Sequence, residues 1–324
     1  MSLIIVRRKT REMVDNATTF YGSGVDLVER YEGNPIITAT SIPEPCNAVF
    51  NAGATLYKNQ YVLLLRVEGL EGKSKFYLAR SLNGYDFEVS KASVFFRSDI
   101  EPFKTYEKRG VEDPRITKIG ESYYISYTAY SHFGTRIGLA KTDNFQRFER
   151  IALISEPNNK DAALFPKKFD NKFVRLDRPT ANSIWISYSS DLKYWGEAKA
   201  VMETRPGYWD MDKIGLGAPP IETNEGWLII YHGVKYKVYR LGCALLDLED
   251  PSRLIGRSEV PILSPKTSYE RTGDVPNVVF ACGATLEENT GEVKIYYGAA
   301  DTCLCLCTAR LDNLLKICVE DKIV

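Results

Sequence analysis

No stretch of the sequence is long and apolar enough to span a bilayer, and the amino-terminal run Met1–Arg8 holds too few apolar residues for a secretory leader. Net charge is also lacking. Forty-two basic side chains balance 42 acidic ones, which leaves no footprint for a nucleic acid or an anionic membrane surface. Paired cysteines are missing too: the seven present are odd in number and share no repeated spacing, which argues against a disulfide framework. Cys303, Cys305 and Cys307 alternate with Leu304 and Leu306. On a strand that spacing puts three thiols on one face, poor geometry for a metal and good geometry for a buried apolar surface. The chain therefore reads as a cytoplasmic protein with reduced thiols and no metal site.

What the sequence does have is β-strand chemistry. Hydrophobic and charged fractions of 44% and 26% are those of an ordinary globular protein, and the 324 residues suffice for one large β fold or two smaller domains. Twenty tyrosines favour strands and offer flat faces for sugar rings. A hairpin pattern then recurs five times, at Gly53–Arg66, Pro114–Tyr130, Ala162–Pro179, Pro219–Val234 and Gly283–Asp301. Each copy has an apolar start, a polar turn marked by Asn59, Gly120, Asn171, Gly226 or Gly291, and an aromatic-rich return. A further strand ending in an Asp/Asn turn follows every copy. Five such units predict an all-β chain folded as a five-bladed β-propeller over residues 34–324. A pair of β-sandwiches is the rival, but five similar hairpins do not divide into two sandwiches. Asn34–Thr38 resembles Val260–Ser264, so an amino-terminal strand is expected to complete the last blade. Residues 1–33 read as an arm, with Arg11–Tyr21 compatible with a short helix that lies on the body or on a second subunit; a homo-oligomer stays open.

The stretch Gly110-Val-Glu-Asp-Pro-Arg115 enters the second hairpin. Pro114 disfavours a helical Asp113 and suits the first residue of a strand, so Asp113 is expected at the hairpin mouth. In a propeller, residues before each first strand and after each second strand ring one mouth. Those positions hold Asn47, Asn51, Glu112, Asp113, Lys160, Asp161, Asp212, Lys213 and Asn277, then Arg66, Tyr130, His132, Arg178, Tyr231, His232 and Asp301. A ring rich in acids, cations and amides is what a polar ligand needs. Asn51, Arg66, Glu112, Asp161 and Asp301 are candidate binders of sugar hydroxyls, since amides, carboxylates and guanidinium groups fork to vicinal oxygens. Tyr130, Tyr208 and Trp209 are candidate stacking faces.

Gly110–Arg115 resembles the signature of glycoside hydrolase family 130, the β-mannoside phosphorylases and related mannosidases. Asn159–Pro166, Arg178-Pro179, Lys213–Pro220, Tyr231–Gly233, Tyr239–Leu248, Val279–Gly283 and Tyr296–Asp301 resemble further stretches of that family, in the family's order. The resemblance implies a five-bladed propeller and an inverting phosphorylase with no organic or metal cofactor. Its co-substrate would be inorganic phosphate, and it would release α-mannose 1-phosphate from a β-mannoside oligosaccharide. It places Asp113 as general acid, acting through a sugar hydroxyl that relays the proton, and Lys160, Arg178, Lys213, His232 and Tyr239 around the phosphate. An acid must hold a proton, so burial or the neighbouring Glu112 is expected to raise the Asp113 pKa. Ordinary ion pairing of the three cations with Asp161, Asp177 and Asp212 is the competing account. An inverting mannosidase with Asp161, Asp212 or Asp301 as base, and a non-catalytic glycan-binding propeller, are the alternatives.

Overall fold

The computed structural model describes residues 27–320, and their strands form five antiparallel sheets. The chain enters through β1 (Glu29–Arg30). Blade one follows as β2 (Cys46–Tyr57), β3 (Gln60–Gly69), β4 (Ser74–Ser81) and β5 (Glu88–Val89). Blade two is β6 (Val111–Ile119), β7 (Ser122–Ser131), β8 (Gly134–Thr142) and β9 (Glu149–Leu153). Blade three is β10 (Lys160–Leu164), β11 (Phe173–Thr180), β12 (Ser183–Ser189) and β13 (Gly196–Glu203). In blade four β14 (Lys213–Leu216) and β15 (Ile221–Thr223) both pair with β16 (Gly226–Lys235), and β17 (Val238–Leu246) and β18 (Leu254–Arg257) complete the sheet. Blade five is β19 (Val279–Glu287), β20 (Glu292–Ala299) and β21 (Cys303–Arg310), with β1 as its outer strand. The first strands β19, β2, β6, β10 and β14 pack in succession around an axis, so the fold is the five-bladed β-propeller.

Both ends of the circle are tied, with one shift from expectation. The strand that closes blade five is Glu29–Arg30, paired with Cys307 and Thr308, so the propeller begins before residue 34. Ile37, from the stretch expected to close it, makes a single bridge to Leu304. The expected helix at 11–21 lies outside the described residues. No helix among the described residues is long and apolar enough to cross a membrane.

Each seam between neighbouring blades is one apolar cluster, and alternate residues of a strand serve opposite seams. In β3, Val62 and Leu64 face blade two, while Leu63, Leu65 and Val67 face blade five. Both faces are thus buried, which is why the second strands read as continuous apolar runs. The same rule explains the alternating thiols: Cys303, Cys305 and Cys307 pack toward blade four, and Leu304 and Leu306 toward blade one. None of the seven cysteines forms a disulfide, and Cys318 Sγ donates to Cys243 Sγ at 3.4 Å. The turns hold left-handed residues where the hairpins need them, at Lys58, Asn59, Gly120, Asp170, Asn171 and Gly291. Gly226 differs: it opens β16, and the turn itself is Asn224-Glu225.

Three blades share a buried device that no hairpin pattern announces. In each, an acid in the segment before the first strand receives a tyrosine from the second strand and an arginine from the fourth. Glu107 takes Tyr127 Oη at 2.6 Å and a two-nitrogen contact from Arg150 at 2.9 and 2.8 Å. Asp210 takes Tyr231 Oη at 2.9 Å and Arg257 Nη2 at 2.7 Å. Glu270 takes Tyr297 Oη at 2.9 Å and Arg30 Nε and Nη2 at 2.8 and 2.9 Å. All three acids are fully enclosed. An enclosed carboxylate is tolerated only when paired and hydrogen-bonded, so each set fixes the incoming segment against its own blade. Those segments deliver the first strands to the axis.

Candidate active site

Three first strands carry the same irregularity at the axis. The register slips between Phe50 and Gly53, between Glu112 and Arg115, and between Lys160 and Ala163. These are β-bulges, and at each the residue entering the bulge has positive φ: Asn51 at 49°, Asp113 at 51° and Asp161 at 56°. Asn and Asp are the non-glycine residues that tolerate this region best. A bulge re-aims a side chain. The consequence at Glu112-Asp113 is direct, because period-2 alternation would put them on opposite faces, yet both reach one guanidinium. Arg66 Nη2 lies 3.0 Å from Glu112 Oε1, and its Nη1 lies 2.8 Å from Asp113 Oδ1.

Around Asp113, Asn51 Nδ2 donates to Oδ1 at 2.9 Å, and Lys160 Nζ stands 3.8 Å from Oδ2. Ser74 Oγ accepts from Arg66 Nε at 2.9 Å and holds that guanidinium in place. Burial pushes the Asp113 carboxyl up, but Arg66, Lys160, Arg115 and the Asn51 amide outweigh it, and the group sits below the usual carboxylate value. The expectation of a raised Asp113 pKa is therefore overturned: the cations win over burial and over Glu112. The raised carboxyls are its neighbours. Burial lifts Glu112, with Arg66 opposing and Asp113 reinforcing the shift. Burial lifts Asp301 to about 6, opposed by Arg66 and reinforced by Asp113 and Asp274.

A second cluster faces it. Arg178 Nε contacts Asp161 Oδ2 at 2.6 Å, and His232 Nε2 lies 3.8 Å from the same oxygen. Lys160 and Arg178 are register partners in β10 and β11. Lys213 Nζ donates to Tyr239 Oη at 3.0 Å. The His232 ring stacks on Tyr239 and meets Phe280 at a tilt, at centroid distances of 5.8 and 4.6 Å. Burial drives its pKa down to about 3 against the pull of Asp161, so the imidazole is neutral. Its Nδ1 is buried and has no protein partner. Burial opposes ionisation of Asp161, yet Arg178, Lys160, His232 and Arg115 hold it far below the usual carboxylate range.

The structure brings Asn51, Arg66, Glu112, Asp113 and Lys160 into one contact network, and Asp161, Arg178, His232, Lys213 and Tyr239 into an adjoining one. The ion pairing expected from sequence neighbours holds only in part. Asp177 pairs with Arg175 at 2.8 Å, not with Arg178, and Asp212 accepts from the Tyr236 backbone at 2.7 Å. Lys213 has no carboxylate within ion-pair reach among the described residues. Asp161, expected at the sugar, is enclosed and occupied by Arg178. Trp209 is a core residue, packed on Tyr231 at 5.5 Å with its Nε1 donating to the Glu259 carbonyl.

Sequence reasoning missed two kinds of residue. Arg115 is buried across the axis, its Nε and Nη2 donating to the Gly217 and Leu216 carbonyls at 2.7 and 2.8 Å and its Nη1 to Asp113 O at 3.1 Å. It ties the acid's own backbone to blade four. Gly215 and Gly298 are required by close approach. A Cβ on Gly215 would lie 2.3 Å from His232 Cε1 and 2.6 Å from Asp161 Oδ2, and one on Gly298 would lie 2.2 Å from Asn51 Oδ1. Both lie in stretches already singled out in the sequence, Lys213–Pro220 and Tyr296–Asp301, but only their being glycine signalled the close approach.

Residues 23–320 match the family described as beta-1,4-mannooligosaccharide phosphorylase, glycoside hydrolase family 130. A 1,2-beta-oligomannan phosphorylase from Thermoanaerobacter sp. (strain X514) is 40% identical over 263 residues, 79% of this chain and 87% of that protein. A beta-1,4-mannooligosaccharide phosphorylase from Ruminococcus albus is 32% identical over 304 residues, 90% of each. The structure of a beta-1,2-mannobiose phosphorylase from Listeria innocua, in complex with beta-1,2-mannobiose, superposes with a TM-score of 0.83 at 32% identity, covering 90% of this chain and 99% of that one.

Proposed function

We infer, for a chain that belongs to glycoside hydrolase family 130 and is a β-mannoside phosphorylase, an inverting displacement at the propeller axis. Phosphate sits among Lys160, Arg178 and Lys213, with His232 and Tyr239 as its wall. It attacks C1 of a terminal mannosyl unit from the face opposite the leaving sugar. Asp113 supplies the proton to the glycosidic oxygen through a sugar hydroxyl, and the product is α-mannose 1-phosphate. Asn51, Arg66, Glu112 and Asp301 hold the sugar on the acid's side, while Asp161 aligns Arg178.

The observation that carries this reading is Lys213. Among the described residues it has a tyrosine hydroxyl and no carboxylate within ion-pair reach, and it acts on His232 together with an arginine already oriented by Asp161. Phosphate is an anion that must be held, whereas water must be deprotonated. The carboxylate on the cation side, Asp161, is bound to Arg178 and far too acidic to serve as a base. Asp301 has the basicity but answers electrostatically to Arg66 and Asp113, the acid's side. Asp212 is exposed and accepts from the Tyr236 backbone N–H, so none of the three candidate bases is a free carboxylate enclosed beside the cations.

The β-1,2 linkage is the first to test, since the relative named for it is 40% identical and the one named for β-1,4 is 32%. None of the seven cysteines forms a disulfide and six of them are buried, which favours a reducing cytoplasm. The test is incubation with β-1,2- and β-1,4-mannobiose, with and without phosphate, followed by product identification. Mannose 1-phosphate formed only with phosphate supports the reading. Free mannose at the same rate without phosphate refutes it.

A further inference from the structure

We propose that Cys243 and Cys318 form a site of reversible oxidation, at which a hydroperoxide is reduced and the two thiols join as a disulfide. The bond fastens the helix Leu311–Glu320 to blade four.

The helix has an apolar stripe at Leu311, Leu314, Leu315 and Cys318, the i, i+3, i+4, i+7 spacing of one face. It follows β21 of blade five, yet it packs on β17 and β18 of blade four. Leu314, Leu315 and Cys318 are buried in the same cluster as Leu241, Cys243 and Leu245 of β17. The helix therefore straps the seam between the last two blades, and its last turn is fitted closely there. A Cβ on Gly256 of β18 would stand 1.8 Å from the Cys318 carbonyl oxygen, so only glycine admits the helix at this depth. Cys318 Sγ then lies 3.4 Å from Cys243 Sγ, which donates in turn to the Leu314 carbonyl at 3.6 Å.

A disulfide holds its sulfurs about 2.05 Å apart, so a pair at 3.4 Å must close by about 1.4 Å. A modest rotation about each Cα–Cβ bond covers that distance. Both thiols are enclosed, Cys243 at 0% and Cys318 at 1% exposure, so oxidation requires an opening. The helix is the part that opens. Ten residues are too few for a stable helix alone, and helix ends fray. Cys243 instead lies inside a sheet, with its N–H and C=O both bonded to Ser258 and its strand paired on both sides.

The chemistry runs in two steps. Cys318, exposed by the opening, gives up its proton, and its thiolate attacks one peroxide oxygen. The O–O bond breaks, Cys318 becomes a sulfenic acid, and the hydroxide released takes up the proton as water. The added oxygen is small enough to re-enter the seam as the helix recloses. Cys243 then loses its proton and attacks Cys318 Sγ, and the second hydroxide leaves as water with that proton. Two electrons pass from the thiol pair to one hydrogen peroxide, which becomes two waters. The bond closes a loop spanning 75 residues that holds β19, β20 and β21. In a reducing compartment the pair stays as thiols, so the strap is fastened only under oxidant.

The test treats the folded protein with hydrogen peroxide, alkylates the remaining thiols under denaturing conditions and maps the digest by mass spectrometry. The expected product is a Cys243–Cys318 cross-linked peptide, two hydrogens lighter than the reduced pair and reversed by dithiothreitol. Oxidised wild type should melt about 5 °C or more above the reduced protein, the scale of a disulfide that closes a long loop. Cys318→Ser should show neither the cross-link nor the shift. Should that variant fail to fold, Cys243→Ala carries the same comparison, and the wild-type map decides in either case. The rate of cross-linking should change little with urea below the unfolding transition, because only the helix opens. A rate that rises with the full unfolding slope would overturn the proposal, since the thiols would then meet only from the unfolded chain. So would both thiols found alkylated after oxidation, Cys318 carried to sulfinic acid without a cross-link, or an oxidised form that melts no higher than the reduced one.

Discussion

Gly215→Ala is a one-methyl test of which substrate the His232–Asp161 wall serves. Gly215 faces His232 across β14 and β16, and the added Cβ would stand 2.3 Å from His232 Cε1 and 2.6 Å from Asp161 Oδ2. Carbon contacts are comfortable at about 3.5–4.0 Å, so the ring or the strand must move by about 1 Å. Neither neighbour can swing into solvent, because both are fully enclosed. Overpacking of this kind costs about 1–3 kcal/mol of stability, or a few degrees in Tm for a chain of this size. The larger effect should be on phosphate. Asp161 aligns Arg178 at 2.6 Å, and a misplacement of about 1 Å near a reacting centre can cost about a hundredfold. The phosphate KM, measured from initial rates at saturating mannobiose, should rise by at least about tenfold, the loss expected from one weakened charge-assisted hydrogen bond. The mannoside KM should move far less. Gly196→Ala, where an added Cβ meets nothing within 4 Å, is the matched control. A variant with lowered Tm but unchanged phosphate KM would make the cluster purely structural, and a rise confined to the mannoside KM would assign the wall to the sugar.

Asp113→Asn should lower turnover on unactivated mannosides by at least about a hundredfold, the scale of general acid catalysis. An activated leaving group should rescue part of that loss, and near wild-type rates on natural linkages would remove Asp113 from the acid's role. Lys213→Ala should raise the phosphate requirement with little change in sugar binding, and kinetics at several phosphate concentrations reads the difference. His232 has a pKa of 6.5 when unfolded and about 3 when folded, so the unfolded chain takes up the proton first on acidification. Stability should fall as pH drops from 6.5 toward 3, and His232→Asn should flatten that limb in urea titrations at stepped pH. Tyr127→Phe removes the 2.6 Å hydrogen bond to enclosed Glu107 and should cost about 1.5–3 kcal/mol in denaturant unfolding. The phosphate KM should not change, because Glu107, Tyr127 and Arg150 share no contact with Lys160, Arg178 or Lys213.

The blades were legible because their signals are local. Asn59, Gly120, Asn171 and Gly291 mark turns by backbone preference, and burial on both faces writes runs such as Val62–Leu65 into the sequence. The position of Asp113 at a hairpin mouth was equally local, through Pro114. What alternation could not give was the direction of Asp113, because a bulge abolishes the period on which the rule depends. The pKa of Asp113 was misjudged for a related reason. Its sign depends on Arg66 from blade one and Lys160 from blade three, partners that the propeller supplies and sequence adjacency does not. The same holds for Glu107, Asp210 and Glu270, whose tyrosine and arginine partners lie two and four strands away in the blade.

A depressed Asp113 is consistent with an acid only if substrate binding changes its surroundings, and the contacts show which change matters. Lys160 lies 3.8 Å from Asp113 Oδ2 and is the register partner of Arg178, so one ammonium stands between the acid and the cation cluster. With the cluster empty, the Lys160 charge acts on Asp113 and helps keep it ionised. A phosphate placed between Lys160, Arg178 and Lys213 would draw that charge to itself and bring negative charge nearer the carboxyl. A sugar seated over Asp113 would exclude the remaining water. Both changes remove stabilisation from the carboxylate and favour its protonated form. On this reading the acid is armed by its co-substrate, and protonation and phosphate binding are linked: phosphate should bind with net proton uptake. Calorimetry in buffers of different ionisation enthalpy, with a non-cleavable mannoside present, measures that uptake directly. In Asp113→Asn the part of the uptake owed to this carboxyl should vanish, while the part owed to phosphate's own titration remains. Identical proton uptake in the wild type and in Asp113→Asn would break the link between Lys160 and the acid.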